Sequence, residues 1–211
     1  MQTPPVLALT QGDPAGVGPE ILLKVATGHA AGPAAEPSDT PLPAWRPLLV
    51  AERAALEAVR SSVPAPAWER VRFLELVPGD PSATGAELAR LSEDDGPRGP
   101  TAPIPVLDPV GLPRRVEPGR SGPEDARGAL AALDAGVELA SSGVAAALVT
   151  APVSKGSIAR HALPGFTGHT DYLAERAGLE RYGRDYLMAF LAPDLRVALL
   201  STHVPLRTAL D

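Results

Sequence analysis

The chain has 211 residues, 45% hydrophobic and 21% charged, with a formal net charge of −6; this is a globular composition, and the charge excludes an overall basic field for nucleic acid or a membrane surface. It contains no cysteine, which excludes a disulfide scaffold and a thiolate metal site and fits a reducing compartment. No apolar run reaches the roughly 18 residues of a membrane span and the N-terminus lacks a basic-then-apolar leader, so a cytoplasmic protein is expected.

Val6–Leu9 reads as a short apolar strand running into Thr10-Gln11-Gly12-Asp13-Pro14-Ala15-Gly16-Val17-Gly18-Pro19-Glu20. The glycines permit a tight turn, Pro19 suits the first turn of a helix and Glu20 its positive end. Ile21, Leu22 and Val25 then form the expected apolar helix face. Strand, glycine-rich loop and helix can cradle a phosphate or a cofactor, and can equally be a tight turn with no ligand. Asp13 repels anions and fits better as an orienter of the loop, a metal or a hydroxyl.

Residues 27–45 read as a loop, 47–50 as a strand, 53–59 as a short helix with Ala54, Leu56 and Val59 as its contacts, and 71–77 as a half-exposed strand. Ser92 to Pro118 is rich in proline and glycine and reads as an extended connection, with a short strand at Ile104–Leu107. Arg114-Arg115 within it is read as a solvated charged patch. Ser121-Gly122-Pro123-Glu124 is a helix start with Ser121 as cap. The helix continues through Leu130, Leu133, Val137 and Leu139 to Gly143.

Val144–Val149 is a continuous apolar run, expected to be a strand buried on both faces. It ends at Thr150-Ala151-Pro152, followed by Ser154-Lys155-Gly156, a short helix, and the polar tip Thr167-Gly168-His169-Thr170. Another helix is expected at 171–177 and two strands at 186–191 and 196–200, turning at Pro193-Asp194 and leading into Ser201-Thr202-His203. Alternation of strand and helix gives the fold class: α/β, with a largely parallel sheet flanked by helices.

Of four histidines, His29 and His161 read as solvent-facing. His169 and His203 each follow a strand end among small polar residues, where imidazole binds metals or donates to anions. No second ligand lies two or four residues away, so spacing alone makes no metal site. Thr167, Thr170, Ser201 and Thr202 suit a phosphate or hydroxyl, and Thr170 equally suits a helix cap. Lys155, one of only two lysines in an arginine-rich chain, is either a neutraliser of phosphate or enolate charge or a surface lysine. Gly-x-Ser-x-Gly, HExxH and a cysteine nucleophile are all missing, so acyl transfer and zinc-peptidase chemistry have no support.

Three stretches taken together, LALTQGDPAGVGPEI, ALVTAPVSKGSIARHALPGFTGHTDYLAERAG and MAFLAPDLRVALLSTHVPLR, resemble the 4-hydroxythreonine-4-phosphate dehydrogenase (PdxA) family of vitamin B6 biosynthesis. The resemblance covers both ends of the chain well and residues 27–118 in outline. It implies a fold like that of isocitrate and isopropylmalate dehydrogenases, incomplete here at the C-terminus. Residues 1–211 would be the N-terminal part of a two-domain α/β dehydrogenase, with 92–118 a connection inside it. It implies NAD or NADP as cofactor, a divalent metal (zinc, magnesium or cobalt), a small phosphorylated substrate, and a homodimer sharing its active site.

The implied reaction oxidises and decarboxylates 4-phosphooxy-L-threonine to 3-amino-2-oxopropyl phosphate, on the way to pyridoxal 5'-phosphate. A paralogue acting on a phosphorylated sugar acid (4-phospho-threonate or erythronate) and a non-catalytic truncated remnant are the alternatives. Carried over by motif, His169 and Thr170 bind substrate and His203 binds the metal. Asp13 and Lys155 fall in family motifs near the cleft without a catalytic assignment, and no residue is assigned to catalysis or to the cofactor. The family's usual GHTE is GHTD here, with Asp171. The family's further metal-ligand histidines and most cofactor contacts lie beyond the position of Asp211, so the isolated 211 residues are expected to be inactive and poorly soluble.

Overall fold

A computed structural model describes residues 4–28, 45–74, 80–94, 102–202, 204, 205 and 207. The chain divides into two compact units, residues 1–166 and 167–211.

The first unit is built on a five-stranded sheet in the order β3-β4-β2-β1-β5, every pair parallel. The strands are β1 (Val6–Thr10), β2 (Arg46–Val50), β3 (Val71–Phe73), β4 (Ile104–Leu107) and β5 (Ala147–Thr150). β1 lies between β2 and β5, paired Leu7↔Pro47 and Leu7↔Ala147. Prolines inside β2 and β4 remove ladder donors. Pro47 and Pro105 both precede the point where these strands pair with each other, at Leu49↔Val106, so neither missing N–H breaks that ladder.

Alternate strand residues feed two cores. Leu9, Leu49, Val71, Ile104 and Val106 pack with α1 (Gly18–Thr27), α2 (Arg53–Ala58) and α3 (Ala65–Trp68). Ala8, Leu48, Val50 and Leu107 pack with α4 (Pro81–Asp94) and α5 (Pro123–Ser141). Period-two alternation therefore sorts the strand side chains between two helical layers. α6 (Lys155–His161) packs against α5.

Helix α5 buries more than the expected leucines. Leu133 and Leu139 are buried, and so are Gly128, Ala132 and Gly136, the two glycines lying closest to their neighbours. A Cβ on Gly136 would sit 2.6 Å from Leu148 Cδ1 and 2.8 Å from Thr10 Cγ2. Small residues at i, i+4 and i+8 put the helix backbone almost on the sheet. The cap also differs: the helix starts from Gly122, whose N–H donates to Asp125 Oδ2 at 2.8 Å, so Asp125 rather than Ser121 closes that end. In α1 the buried side is Leu22 and Leu23, while Ile21 and Val25 are 40% and 38% exposed.

Two further expectations are corrected. β5 is not buried on both faces: it is one of the two edge strands of the sheet, and Val149 is 46% exposed. Helix α4 spans 81–94, where no helix was expected, because Gly85, Ser82 and Thr84 dilute its apolar pattern. The strand at Ile104–Leu107 is present as β4.

The second unit contains α7 (His169–Arg176) and an antiparallel hairpin, β6 (Ala189–Ala192) and β7 (Leu195–Ala198), joined at Pro193-Asp194. Tyr182 braces the hairpin base: its hydroxyl donates to the Leu199 carbonyl at 3.0 Å and accepts from the Met188 N–H at 3.2 Å. The rings of Tyr182 and Tyr186 meet edge to face at 5.4 Å. Phe190, Leu191 and Leu195 in the hairpin are 58%, 77% and 62% exposed.

Candidate functional site

Parallel α/β sheets bind ligands outside the carboxyl ends of their strands, where neighbouring strands send their helices to opposite faces. The first unit has two such crevices. β1 leads to α1 on one face while its neighbour β5 leads to α6, packed on α5. β2 leads to α2 on the first face while its neighbour β4 leads to α5 on the second.

The loop Gln11–Gly18 borders the β1/β5 crevice. Its N–H and carbonyl groups are largely turned inward: the Asp13 N–H donates to the Pro152 carbonyl at 2.9 Å, and the Gly16 N–H to the Asp13 carbonyl at 2.9 Å. Asp13 is 9% exposed and its Oδ1 accepts from the Ala15 N–H at 3.0 Å. Asp13 is thus the orienter of its own turn. The glycines serve close packing: a Cβ on Gly12 would fall 2.2 Å from the Pro152 carbonyl oxygen, and one on Gly18 1.8 Å from that of Gln11. These two glycines let the loop pack directly against the backbone of Pro152 and Gln11.

Beneath the loop lies a polar cluster that sequence reasoning missed. Gln11 is fully buried; its amide NH2 donates to Glu52 Oε1 at 3.1 Å, and its carbonyl oxygen accepts the Glu52 N–H at 2.9 Å. Glu52 receives Arg114 in a two-point fork, Nε to Oε2 at 2.5 Å and Nη2 to Oε1 at 2.9 Å. Arg114 also donates from Nη1 to Asp125 Oδ1 at 2.8 Å. Side-chain exposures of 12%, 2% and 9% for Arg114, Glu52 and Asp125 place all three inside the protein. The expected solvated patch at Arg114-Arg115 is therefore corrected at Arg114. Glu52 lies 62 residues away and Asp125 11 residues away, in different elements, and the fold brings the three together. Hydrogen bonds from the guanidinium to Glu52, and then to Asp125, outweigh desolvation and push Arg114 above the ordinary arginine range.

A groove of about 510 Å³ opens at the β2/β4 crevice, lined by Arg53, Phe73, Leu74, Asp108, Leu112 and Arg114 among others. The Arg53 guanidinium lies 3.8 Å from the Phe73 ring centroid. Asp108 accepts the N–H groups of Arg53, Val110 and Gly111 at 3.0, 2.9 and 2.9 Å, capping α2 and its own turn. The groove's size suits a small ligand, but Arg53, Asp108 and Arg114 in its lining are engaged with the protein itself.

In the second unit His169 and Thr170 are the first two residues of α7, both half-buried. Thr167 Oγ1 donates to Asp171 Oδ2 at 2.7 Å across the helix start. His169 and Thr170 thus stand together at a helix N-terminus, where backbone N–H groups and the dipole favour an anion. His203, the expected metal ligand, and His29 lie outside the described residues. His161 and Lys155 are exposed, while Ser201 and Thr202 are half-buried. Among the described residues no three His, Cys, Asp or Glu side chains gather to hold a metal ion. The described donor set does not fit a metal centre by itself.

Residues 45–211 match the family described as Pyridoxal phosphate biosynthetic protein PdxA. The chain is 35% identical over 207 residues to the 4-hydroxythreonine-4-phosphate dehydrogenase of Chromobacterium violaceum, covering 98% of this chain and 51% of that protein. It is 35% identical over 211 residues to that of Thioalkalivibrio sulfidiphilus, covering 100% and 53%. Among solved structures, a 4-hydroxythreonine-4-phosphate dehydrogenase from Burkholderia phymatum superposes with a TM-score of 0.64 at 26% identity, covering 98% of this chain and 52% of that one. A terephthalate 1,2-cis-dihydrodiol dehydrogenase from Burkholderia xenovorans shares the fold, at TM-score 0.61 and 19% identity, over 99% and 51% of the two chains. The chain spans about half the length of the curated relatives it matches.

Proposed function

The chain belongs to the PdxA family of pyridoxal phosphate biosynthetic proteins, and from that premise we propose that it carries part of the substrate site of a 4-hydroxythreonine-4-phosphate dehydrogenase. In this reading the substrate is 4-phosphooxy-L-threonine, oxidised with NAD or NADP and decarboxylated to 3-amino-2-oxopropyl phosphate. A divalent metal (zinc, magnesium or cobalt) assists, the protein works in the cytoplasm, and two copies share the active site. The described residues complete neither a metal centre nor an assigned nicotinamide contact. Their contribution is binding and orientation.

One observation supports the reading most: His169 and Thr170 open α7 side by side. An imidazole N–H and a hydroxyl at a helix N-terminus donate to an anionic or hydroxylated substrate, and the helix dipole adds to the same polarity. Within the first unit, taken by itself, the crevice outside β1 and β5, bordered by Gln11–Gly18, is read as ligand-facing. His203 is proposed as a metal ligand, with its partners outside the described residues.

The test is titration of the 211-residue chain with 4-phosphooxy-L-threonine, followed by 31P NMR and calorimetry. Binding that weakens about tenfold or more in His169→Asn and in Thr170→Val supports the reading, each change removing a hydrogen bond to a charged group. Equal or tighter binding of 4-phospho-erythronate would shift the substrate class to a phosphorylated sugar acid. Binding of neither, in the presence of zinc or magnesium, would leave a non-catalytic remnant.

A further inference from the structure

The substrate-site reading leaves Gln11, Glu52, Arg114 and Asp125 without a task, although they cross-tie the carboxyl edge of the sheet. We propose that Glu52 and Arg114 are positioning residues, which fix the ligand-facing loop Gln11–Gly18 by acting through Gln11. This rests on the reading of that loop as ligand-facing.

Gln11 uses both ends of its amide on Glu52, so the residue directly before Gly12 is oriented from β2 rather than by its own turn. Glu52 is in turn held at both oxygens by the Arg114 fork. Arg114 continues to Asp125 in the first turn of α5, which accepts the N–H of Gly122, the residue before that helix. Three segments, after β1, after β2 and before α5, are thereby locked to one guanidinium. The fork is directional as well as charged, so it transmits orientation.

Stability alone does not call for such a cluster. Buried ion pairs are commonly replaced by apolar residues of the same volume without loss. The cluster also excludes a side chain from α5: a Cβ on Gly128 would collide with Glu52 Oε1. What charged groups supply here, and apolar ones would not, is a single defined orientation for Gln11 and the loop it starts.

The test is amide hydrogen exchange by NMR on the 211-residue chain, comparing it with Arg114→Met and Arg114→Lys. The expected result is that the Asp13, Ala15 and Gly16 amides lose protection by about tenfold more than the strand amides of β1 and β2, a local opening rather than a global one. Lysine keeps the charge and loses the fork, so its loop amides should fall between the other two. Loop amides that stay unchanged, or that change by the same factor as the strands, would overturn the proposal. If Arg114→Met does not fold, Glu52→Gln carries the same comparison with the same outcomes. Exchange needs neither substrate nor cofactor. A chain that binds no phosphooxy-threonine therefore removes the dehydrogenase reading alone, and uniform exchange removes the positioning role alone.

Discussion

Gly128 of α5 and Glu52 after β2 are fitted to one another: a Cβ on Gly128 would lie 2.0 Å from Glu52 Oε1. Glu52 cannot yield, because Arg114 holds it at both oxygens. Gly128→Ala should therefore cost about 1–3 kcal/mol of unfolding free energy, the usual range for overpacking. Gly136→Ala should cost less, although its contacts are also short, since Leu148 Cδ1 is the free end of a side chain that can turn away. Urea denaturation of both variants checks the order.

Gly18 and Gly28 offer a second paired comparison. A Cβ on Gly18 would meet the backbone oxygen of Gln11, while one on Gly28 has nothing within 4 Å. Gly28 has φ of 77°, so alanine there should cost only the left-handed strain, about 1–2 kcal/mol. Gly18→Ala forces backbone apart and should lower the melting temperature more than Gly28→Ala does. Equal shifts in a thermal melt would contradict the packing described for the loop.

The pH dependence of the buried pair follows from the direction in which Arg114 is moved. Its folded-state value is raised, first by hydrogen bonds to Glu52. A raised basic group contributes stability that is fully present below its unfolded value and is lost only as pH climbs through the folded one. The difference in unfolding free energy between the parent chain and Arg114→Met should thus be flat from about pH 6 to about pH 10. A difference that declines steadily over that window would mean the guanidinium is not held as described.

The hairpin of the second unit shows apolar side chains to solvent. Phe190, Leu191 and Leu195 are each more than half exposed, and a two-stranded hairpin has little stability of its own. Phe190→Ser with Leu195→Ser should reduce binding of an apolar dye and lower aggregation, with far-UV circular dichroism unchanged. Unchanged dye binding would place the apolar surface elsewhere.

The sequence was informative where structure is written in neighbouring residues. Short apolar runs located β1, β2 and β5, and the turn at Pro193-Asp194 located the hairpin. The family motifs name His169 and Thr170 as substrate-binding, a role the fold does not test; the structure shows them as the first two residues of α7. What escaped depends on residues far apart in the chain. Arg114 looked solvated because Glu52, which holds it in a fork, is 62 residues away in sequence. β5 looked doubly buried because an apolar run does not reveal which strand stands at the edge. Leu133 and Leu139 of α5 were legible from their spacing, whereas the close approach at Gly128 and Gly136 was not, because its partners Glu52, Leu148 and Thr10 come from other elements. His203 lies outside the described residues, and its role stands on the motif alone.

The placement of β1 has a consequence for how the chain is made. Its two neighbours arrive at very different times: Arg46–Val50 soon after it, Ala147–Thr150 only near the end of the first unit. During synthesis one flank of β1 must wait, unmatched, until most of the unit has left the ribosome, and parallel pairing of such remote partners is slow. Translation speed and chaperone access between those two moments should therefore govern the yield of folded protein.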